Sequence, residues 1–105
     1  MKLTAIQEAV VKSTGFTLEE LSGKSRIRPL SDARKIYCKL ARTYTEFSWY
    51  AIGQSIKKDH ATVMHNARAC DSLMQYDKKF AKKMHSCMDE IEFEDEMFYT
   101  YIDEY

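Results

Sequence analysis

The sequence predicts an all-α fold, a compact helical bundle. One proline and three glycines in 105 residues are too few to punctuate a chain made of short strands and tight turns. Apolar residues instead recur three and four positions apart, with capping residues at the expected helix starts. Hydrophobic residues make up 45% of the chain, which excludes wholesale disorder, and the length fits one domain.

Two helices and a loop are predicted for the first third of the chain. An apolar stripe with Gly15 as its C-cap predicts the first helix; the stripe consists of Leu3, Ile6, Val10 and Val11. Thr17 and Glu20 form a capping-box pattern that opens a short helical turn, Leu18 to Leu21. The polar stretch from Ser22 to Pro29 is rich in helix breakers and is predicted to be a loop.

A long helix is predicted for the middle of the chain. Ser31 or Asp32 is expected to cap it, and it is expected to end near Tyr44. Its apolar stripe has helical spacing and consists of Ile36, Tyr37, Leu40, Ala41 and Tyr44.

A helix-turn-helix is predicted next. Ser48 is expected to cap a short helix whose inward-facing residues are Trp49, Ile52 and Ile56. Asp59 is expected to cap a longer helix that ends near Met74. Only Lys57 and Lys58 separate Ile56 from Asp59, and so tight a connection between two helices is typical of a helix-turn-helix. Asp77 can cap a further helix through Met88.

Charge is divided unevenly along the chain. Residues 1–88 carry 16 basic and 8 acidic side chains, a net charge of +8, whereas residues 89–105 carry 8 acidic and no basic ones. A basic body is typical of proteins that bind polyanions. Three clusters of cations surround the predicted helix-turn-helix: Lys24, Arg26 and Arg28 in the loop, Lys35, Lys39 and Arg42 on the long helix, and Lys57 and Lys58 in the turn. Any one cluster can be ordinary solvated surface, but three together favour duplex DNA as the partner.

The first turn of the helix after Asp59 is a candidate for base contacts. Small or polar side chains there can approach base edges in a major groove: Asp59, His60, Ala61 and Thr62. Val63 and Ala67, four positions apart, are expected to anchor the helix to the core. An ordinary amphipathic helix with a capping aspartate and a half-buried histidine remains the alternative.

The segment Ile52-Gly-Gln-Ser-Ile-Lys-Lys-Asp-His-Ala-Thr-Val-Met-His-Asn-Ala-Arg68 resembles the C-terminal DNA-binding domain of the bacterial replication initiator DnaA. That family has an Ile-Gly, a short basic turn, then Asp-His, a small residue, Thr-Val and a second histidine. The resemblance covers residues 3 to 75. It implies an all-α module with a helix-turn-helix of the Trp-repressor type, binding double-stranded DNA at short asymmetric sites in replication initiation or its regulation.

The resemblance also implies roles for individual residues. Arg26 matches the loop arginine that enters the minor groove, whose concentrated negative potential attracts such a side chain. Arg42 matches a phosphate contact, and Lys58 matches the basic residue before the aspartate. The complete set of expected DNA contacts comprises Lys24, Arg26, Arg28, Arg42, Ser48, Lys57, Lys58, Asp59, His60, Ala61, Thr62 and His65. Asp59, His60 and Thr62 match the family's major-groove readers, whereas Ala61 departs from it at a position where many members carry a hydroxyl residue. The other departures are a turn one residue shorter, without its glycine pair, and Tyr50 in place of a frequent proline.

Several other functions are not favoured by the sequence. It contains no GxxxxGK(S/T) nucleotide loop, so we expect it to bind DNA without ATP and without a cofactor. It is expected to be either an excised domain or a stand-alone homologue, and the unusual tail favours the stand-alone homologue. No grouping of nucleophile, base and orienting residue is evident, so we expect that it is not an enzyme. The spacings of His60, His65, His85 and Cys87 do not suit a helical metal site. Three widely spaced cysteines, no signal peptide and no long apolar run indicate a cytoplasmic protein with no membrane association.

Residues 89–105 are predicted to be an acidic, aromatic, helical extension of the domain formed by residues 1–88. Its stripe at a spacing of four consists of Phe93, Met97, Tyr101 and Tyr105, with Phe98 and Ile102 beside it. Three interpretations stay open: the stripe packs on the body, it forms a homodimer or protein-partner surface, or the acidic segment covers the basic face. The second supports an alternative function, a protein-interaction module or transcriptional regulator.

Overall fold

The computed structural model describes the backbone of residues 1–103 and the side chains of residues 1–92. Within this part, six α-helices and no strands are present: α1 (Leu3–Thr14), α2 (Leu18–Ser22), α3 (Arg28–Tyr44), α4 (Trp49–Ser55), α5 (His60–Tyr76) and α6 (Lys78–Asp103). The predicted all-α class and the helix-turn-helix, formed by α4 and α5, are confirmed.

Capping residues define several helix ends as the sequence predicts. Gly15 ends α1 in the left-handed conformation, with φ of 79°, which glycine adopts without steric cost. Thr17 and Glu20 form both hydrogen bonds of a capping box at the start of α2. Ser48 and Asp59 cap α4 and α5 through their side chains. These caps fix where four of the helices begin or end.

The predicted start of α3 at Ser31 or Asp32 is wrong. The helix begins at Arg28, with Pro29 in its first turn, where the missing N–H of proline would have no helical partner. The carboxylate of Asp32 does not cap the helix but accepts a hydrogen bond from Nε of Arg28 at 3.0 Å. The loop before α3 is therefore shorter than predicted.

Helix α3 forms the centre of the core. Its buried apolar side chains pack against α1, α4, α5 and α6, and include Leu30, Ile36, Tyr37, Cys38 and Leu40. The hydroxyl of the buried Tyr37 shares a hydrogen bond of 2.7 Å with Ser55 of α4 and accepts one of 3.3 Å from Gln7 of α1. These bonds satisfy the polar end of a buried aromatic ring and connect three helices.

All three cysteines are buried and unpaired, and they serve as small residues of the core. Burial raises the pKa of Cys38 and of Cys70 to about 12 and that of Cys87 to about 11. Their thiols therefore stay protonated at neutral pH.

Helix α6 begins where Asp77 accepts a hydrogen bond from the N–H of Phe80 at 3.0 Å, which confirms the predicted cap. The helix continues beyond Met88 without a break, so the expected C-terminal helix is its second half. Ile91 is buried, and Glu90 forms an ion pair of 3.2 Å with Lys12 of α1.

The predicted stripe from Phe93 to Tyr105 lies outside the residues whose side chains are described. Among the described residues, no helix combines the length and apolar character needed to cross a membrane.

Candidate nucleic-acid interface

The first turn of α5 presents its side chains to solvent. Asp59 precedes it, and its Oδ1 accepts a hydrogen bond of 2.7 Å from the backbone N–H of Thr62. This bond holds the pKa of the Asp59 carboxyl below its usual value. His60, Ala61 and Thr62 are exposed, whereas Val63 is fully buried. The side chains predicted to approach a base edge are therefore accessible, and the alternative of a half-buried histidine at position 60 is wrong.

The remainder of α5 is anchored in the core. Val63, Ala67 and Cys70 are buried along one face, which confirms the predicted anchoring role of Val63 and Ala67. His65 lies on an exposed face of the same helix. A helix held in this way can present its N-terminal turn to a ligand without losing its packing.

The turn between α4 and α5 is closed by backbone hydrogen bonds to Gly53. The carbonyl of Gly53 accepts from the N–H of Lys58 at 2.9 Å and from that of Ile56 at 3.1 Å. Lys57 adopts a positive φ of 56°, which costs a residue with a side chain about 1–2 kcal/mol. Sequence reasoning did not assign this conformation. The positive φ of Lys57 supplies the left-handed turn for which the family pattern has a glycine pair.

The loop between α2 and α3 is organised by Arg34, a residue that sequence reasoning did not single out. Its side chain lies almost completely buried, at 7% exposure. Its guanidinium donates to the carbonyls of Leu21 at 2.8 Å, Gly23 at 3.0 Å and Glu20 at 3.1 Å, and also to that of Ser25. These carbonyls come from the end of α2 and the following loop, where helical N–H partners run out; that of Glu20 also accepts the N–H of Gly23 at 3.1 Å.

Lys58 connects the turn to this same loop. Its ammonium donates a hydrogen bond of 2.6 Å to the carbonyl of Gly23. Burial, and then the positive charges of Arg34, Arg26 and Lys24, lower the pKa of Lys58. The loop cations Lys24 and Arg26 therefore lie close enough to act electrostatically on the residue that immediately precedes Asp59.

Arg28, a predicted DNA contact, is held by acidic partners. Its guanidinium pairs with Asp32 at 3.0 Å and with Asp77 at 2.9 Å, just before α6. Two of the α3 lysines also have partners within the protein. Lys35 donates to Ser31 at 2.8 Å, and Lys39 pairs with Asp71 of α5 at 3.0 Å. These three cations thus make contacts within the protein, and they are not among the charges that lower the pKa of Lys58.

Arg42 lies beside the start of α4. Its guanidinium is 4.7 Å from the centroid of the Trp49 ring and donates a hydrogen bond of 3.1 Å to the carbonyl of Phe47. Ser48 is exposed, and its hydroxyl oxygen accepts the N–H of Ala51 at 3.1 Å as the cap of α4. Stacking on the indole orients an exposed cation next to a helix N-terminus, an arrangement suited to a phosphate contact.

The described residues include no group of three or more His, Cys, Asp or Glu side chains able to hold a metal ion. Cys87 faces the core, whereas His85, two positions earlier, is exposed. These two side chains do not face a common site.

These features define a class of protein. A short helix, a tight turn and a second helix with an exposed first turn form a helix-turn-helix domain. Beside that turn lies a loop that carries Lys24 and Arg26.

Comparison with known proteins identifies the family. The profile described as Bacterial dnaA protein helix-turn-helix matches residues 3–69, and the chain belongs to this family. It is 38% identical over 78 residues to the chromosomal replication initiator protein DnaA of Flavobacterium psychrophilum, covering 73% of this chain and 16% of that protein. It is 33% identical over 87 residues to the DnaA of a Picosynechococcus species, covering 82% of this chain and 19% of that protein. The chain thus matches less than a fifth of the length of these relatives.

Proposed function

We propose that this protein binds double-stranded DNA at DnaA-box-like sites, through α5 in the major groove and the Arg26 loop in the adjacent minor groove. One observation carries the proposal. His60 and Thr62 are exposed directly after the cap of α5, while Lys58 joins the same end of the helix to the loop that carries Arg26. One surface therefore offers groups for base edges and a cation for a narrow minor groove.

The phosphate contacts in this proposal come from side chains that flank these two elements. Lys24 and Lys57 are exposed next to the loop and the turn, and Arg42 is exposed beside the N-terminus of α4. Cations at several points fix the register of a protein on the duplex but carry no sequence information themselves. Base selectivity is assigned to His60 and Arg26.

We propose a role in replication initiation or its regulation, because that is the activity named for the relatives. The role of this chain would be binding without ATP, since its 105 residues contain no GxxxxGK(S/T) loop. It would also be binding without catalysis, because the family that the chain matches is a helix-turn-helix domain. A chromosomal or episomal DNA partner would place the protein in the cytoplasm.

We further propose that residues 89–105 extend the domain of residues 1–88 and do not form a second one. The support is the packing of α6 on α1. Ile91 is 1% exposed, and the ion pair between Glu90 and Lys12 measures 3.2 Å. Both contacts lie beyond residue 88 and join this segment to the body.

The test compares binding to a duplex containing a DnaA box with binding to a scrambled duplex, by fluorescence anisotropy at about 150 mM salt. The wild type should prefer the box. Arg26→Ala and His60→Ala should each weaken box binding by about 1–3 kcal/mol. His85→Ala, which changes an exposed histidine of α6, should leave both affinities unchanged. Equal affinity of the wild type for box and scrambled duplexes would refute sequence-specific binding.

A further inference from the structure

The carbonyl oxygen of Gly23 accepts hydrogen bonds from two cationic side chains. Nζ of Lys58 donates to it at 2.6 Å and Nη2 of Arg34 at 3.0 Å. Gly23 lies at the start of the loop, one residue before Lys24 and three before Arg26. Lys58 lies one residue before the cap of α5. The oxygen therefore joins the origin of the loop to the start of the second helix of the helix-turn-helix.

Arg34 holds the start of the loop, around Gly23, in a fixed position. Its side chain is 7% exposed and bonds four carbonyls of residues 20–25, two from α2 and two from the loop. The planar guanidinium presents its five donors in a fixed fork, so several acceptors are held in one geometry at once. Hydrogen bonds to charged donors are also stronger than those between neutral groups. The loop therefore has a defined position relative to α3 from its first residues.

Lys58 connects this ordered loop to the α4–α5 turn. Its backbone N–H bonds the carbonyl of Gly53 at 2.9 Å, and its side chain bonds that of Gly23 at 2.6 Å. The resemblance predicts a DNA contact for Lys58. In the structure its ammonium is directed to a carbonyl of the protein, whereas the neighbouring Lys57 is exposed.

We propose that Lys58 and Arg34 are positioning residues that hold the Arg26 loop at one distance from α5. The inference rests on the proposed function. Because α5 and the loop would contact bases in adjacent grooves, a fixed distance between them means that the protein accepts only one spacing between the two DNA segments. Lys58 and Arg34 thus set a spacing requirement without touching a base.

The experiment uses Lys58→Met and, as its matched control, Lys57→Met, which removes the adjacent exposed lysine. Three duplexes serve as probes: the best site that the wild type selects from a random pool, the same site with one base pair inserted between its two contacted segments, and a scrambled site. Affinities are measured over a range of salt concentrations, and thermal unfolding shows that each variant is folded. Arg34→Lys is a second variant that retains the charge but loses the planar fork.

The wild type should bind the selected site at least about tenfold more tightly than the site with the inserted base pair. A single mismatched base pair in a specific site weakens binding by a similar factor. Lys58→Met should bind the selected site more weakly and lose most of this tenfold ratio, with an unchanged salt slope. Arg34→Lys should change the ratio in the same direction. Lys57→Met should keep the ratio and flatten the salt slope by about one unit, as expected for a lost phosphate contact.

The proposal is overturned if Lys58→Met weakens all three duplexes by the same factor and flattens the salt slope, because Lys58 would then contact a phosphate. It is also overturned if Lys58→Met binds all three duplexes as the wild type does. A wild type that selects no site and does not distinguish the scrambled duplex would refute the proposed function itself, and this inference with it. That result appears before any variant is compared.

Discussion

Gly53 and Lys58 are in direct backbone contact across the turn of the helix-turn-helix. The N–H of Lys58 donates to the carbonyl of Gly53 at 2.9 Å, and the carbonyl oxygen of Lys58 lies where a β-carbon on residue 53 would have to fit. Cγ2 of Val63 borders the same space, 3.3 Å from that position. Glycine is therefore required here by a close approach of backbone, although its own φ is not positive.

Gly53→Ala is expected to destabilise the protein by about 1–3 kcal/mol, because neither the Lys58 backbone nor the buried Val63 can move without disturbing α5. The free energy of unfolding from urea titrations measures this. Site preference should fall as well, since a displaced Lys58 no longer holds the loop.

Gly15→Ala is the matched control for this change. Nothing lies within 4 Å of a β-carbon at residue 15, so the cost there comes only from the positive φ of 79°, about 1 kcal/mol. This variant should be less stable yet bind DNA as the wild type does. Unaltered stability of Gly53→Ala would show that the turn relaxes freely and would contradict the contact described.

Lys57→Gly is expected to stabilise the protein by about 0.5–1 kcal/mol. It removes the cost of a left-handed conformation, φ 56°, and part of that gain is offset by the greater freedom of glycine in the unfolded chain. The same variant should flatten the salt dependence of DNA binding by about one unit.

Lys57→Met separates the effect of Lys57→Gly on stability from its effect on the salt dependence of DNA binding, because it removes the charge but keeps a β-carbon. It should reproduce the flatter salt slope without any gain in the free energy of unfolding. If Lys57→Gly is no more stable than Lys57→Met, the positive φ carries no cost and the prediction fails.

Elements governed by local interactions could be predicted from the sequence. The caps at Gly15, Thr17, Ser48 and Asp59 all depend on residues within a few positions. The exposed start of α5 follows from such a cap together with the buried Val63 four residues later. The start of α3 could not be predicted by capping rules alone, because Pro29 is tolerated in a first turn and Ile27 offers no capping side chain.

Roles that depend on distant contacts could not be predicted. The ion pair of Arg28 with Asp77, 49 residues later, could not be predicted from the residues around Arg28, whose role as a DNA contact stays a prediction. Arg34 had one visible signal, since it lies four residues from both Leu30 and Cys38, on the buried stripe of α3. A cation on such a stripe must find acceptors inside the protein, but the sequence does not show that they are the carbonyls of residues 20–25.

Stability is expected to depend on pH through Asp59. The hydrogen bond from the Thr62 N–H lowers the pKa of this carboxyl in the folded state. A carboxyl whose pKa is lower in the folded than in the unfolded state stabilises the fold above its unfolded pKa of about 4. That contribution is lost as the pH falls through the folded value.

Asp59→Asn is the variant that measures this contribution, because asparagine keeps a capping oxygen but cannot ionise. The wild type should be the more stable protein at neutral pH, and the two should approach each other as the pH falls below about 4. Free energies of unfolding at a series of pH values between neutrality and about pH 2.5 test this. A constant difference over the whole series would mean that the charge of Asp59 contributes nothing to the fold.

Removal of residues 93–105 is expected to strengthen DNA binding without unfolding the domain. The first 92 residues keep the buried Ile91 and the ion pair between Glu90 and Lys12. They carry 16 basic and 11 acidic side chains, a net charge of +5 in place of zero for the whole chain. Affinity for box and scrambled duplexes should rise by a similar factor at low salt, and the gain should shrink as salt screens the charges.

A variant of the whole 105-residue chain tests whether charge causes the expected gain in DNA affinity. In it, the five acidic residues of this segment are changed to their amides: Glu94, Asp95, Glu96, Asp103 and Glu104. It matches the charge of the truncated chain and keeps the aromatic stripe, so it should bind DNA as the truncated chain does. Sedimentation of the wild type, the truncated chain and the amide variant tests whether the stripe forms a homodimer. A dimer that is lost on truncation but kept in the amide variant would assign the stripe to association. Weaker DNA binding by a folded truncated chain would instead show that residues 93–105 support the interface.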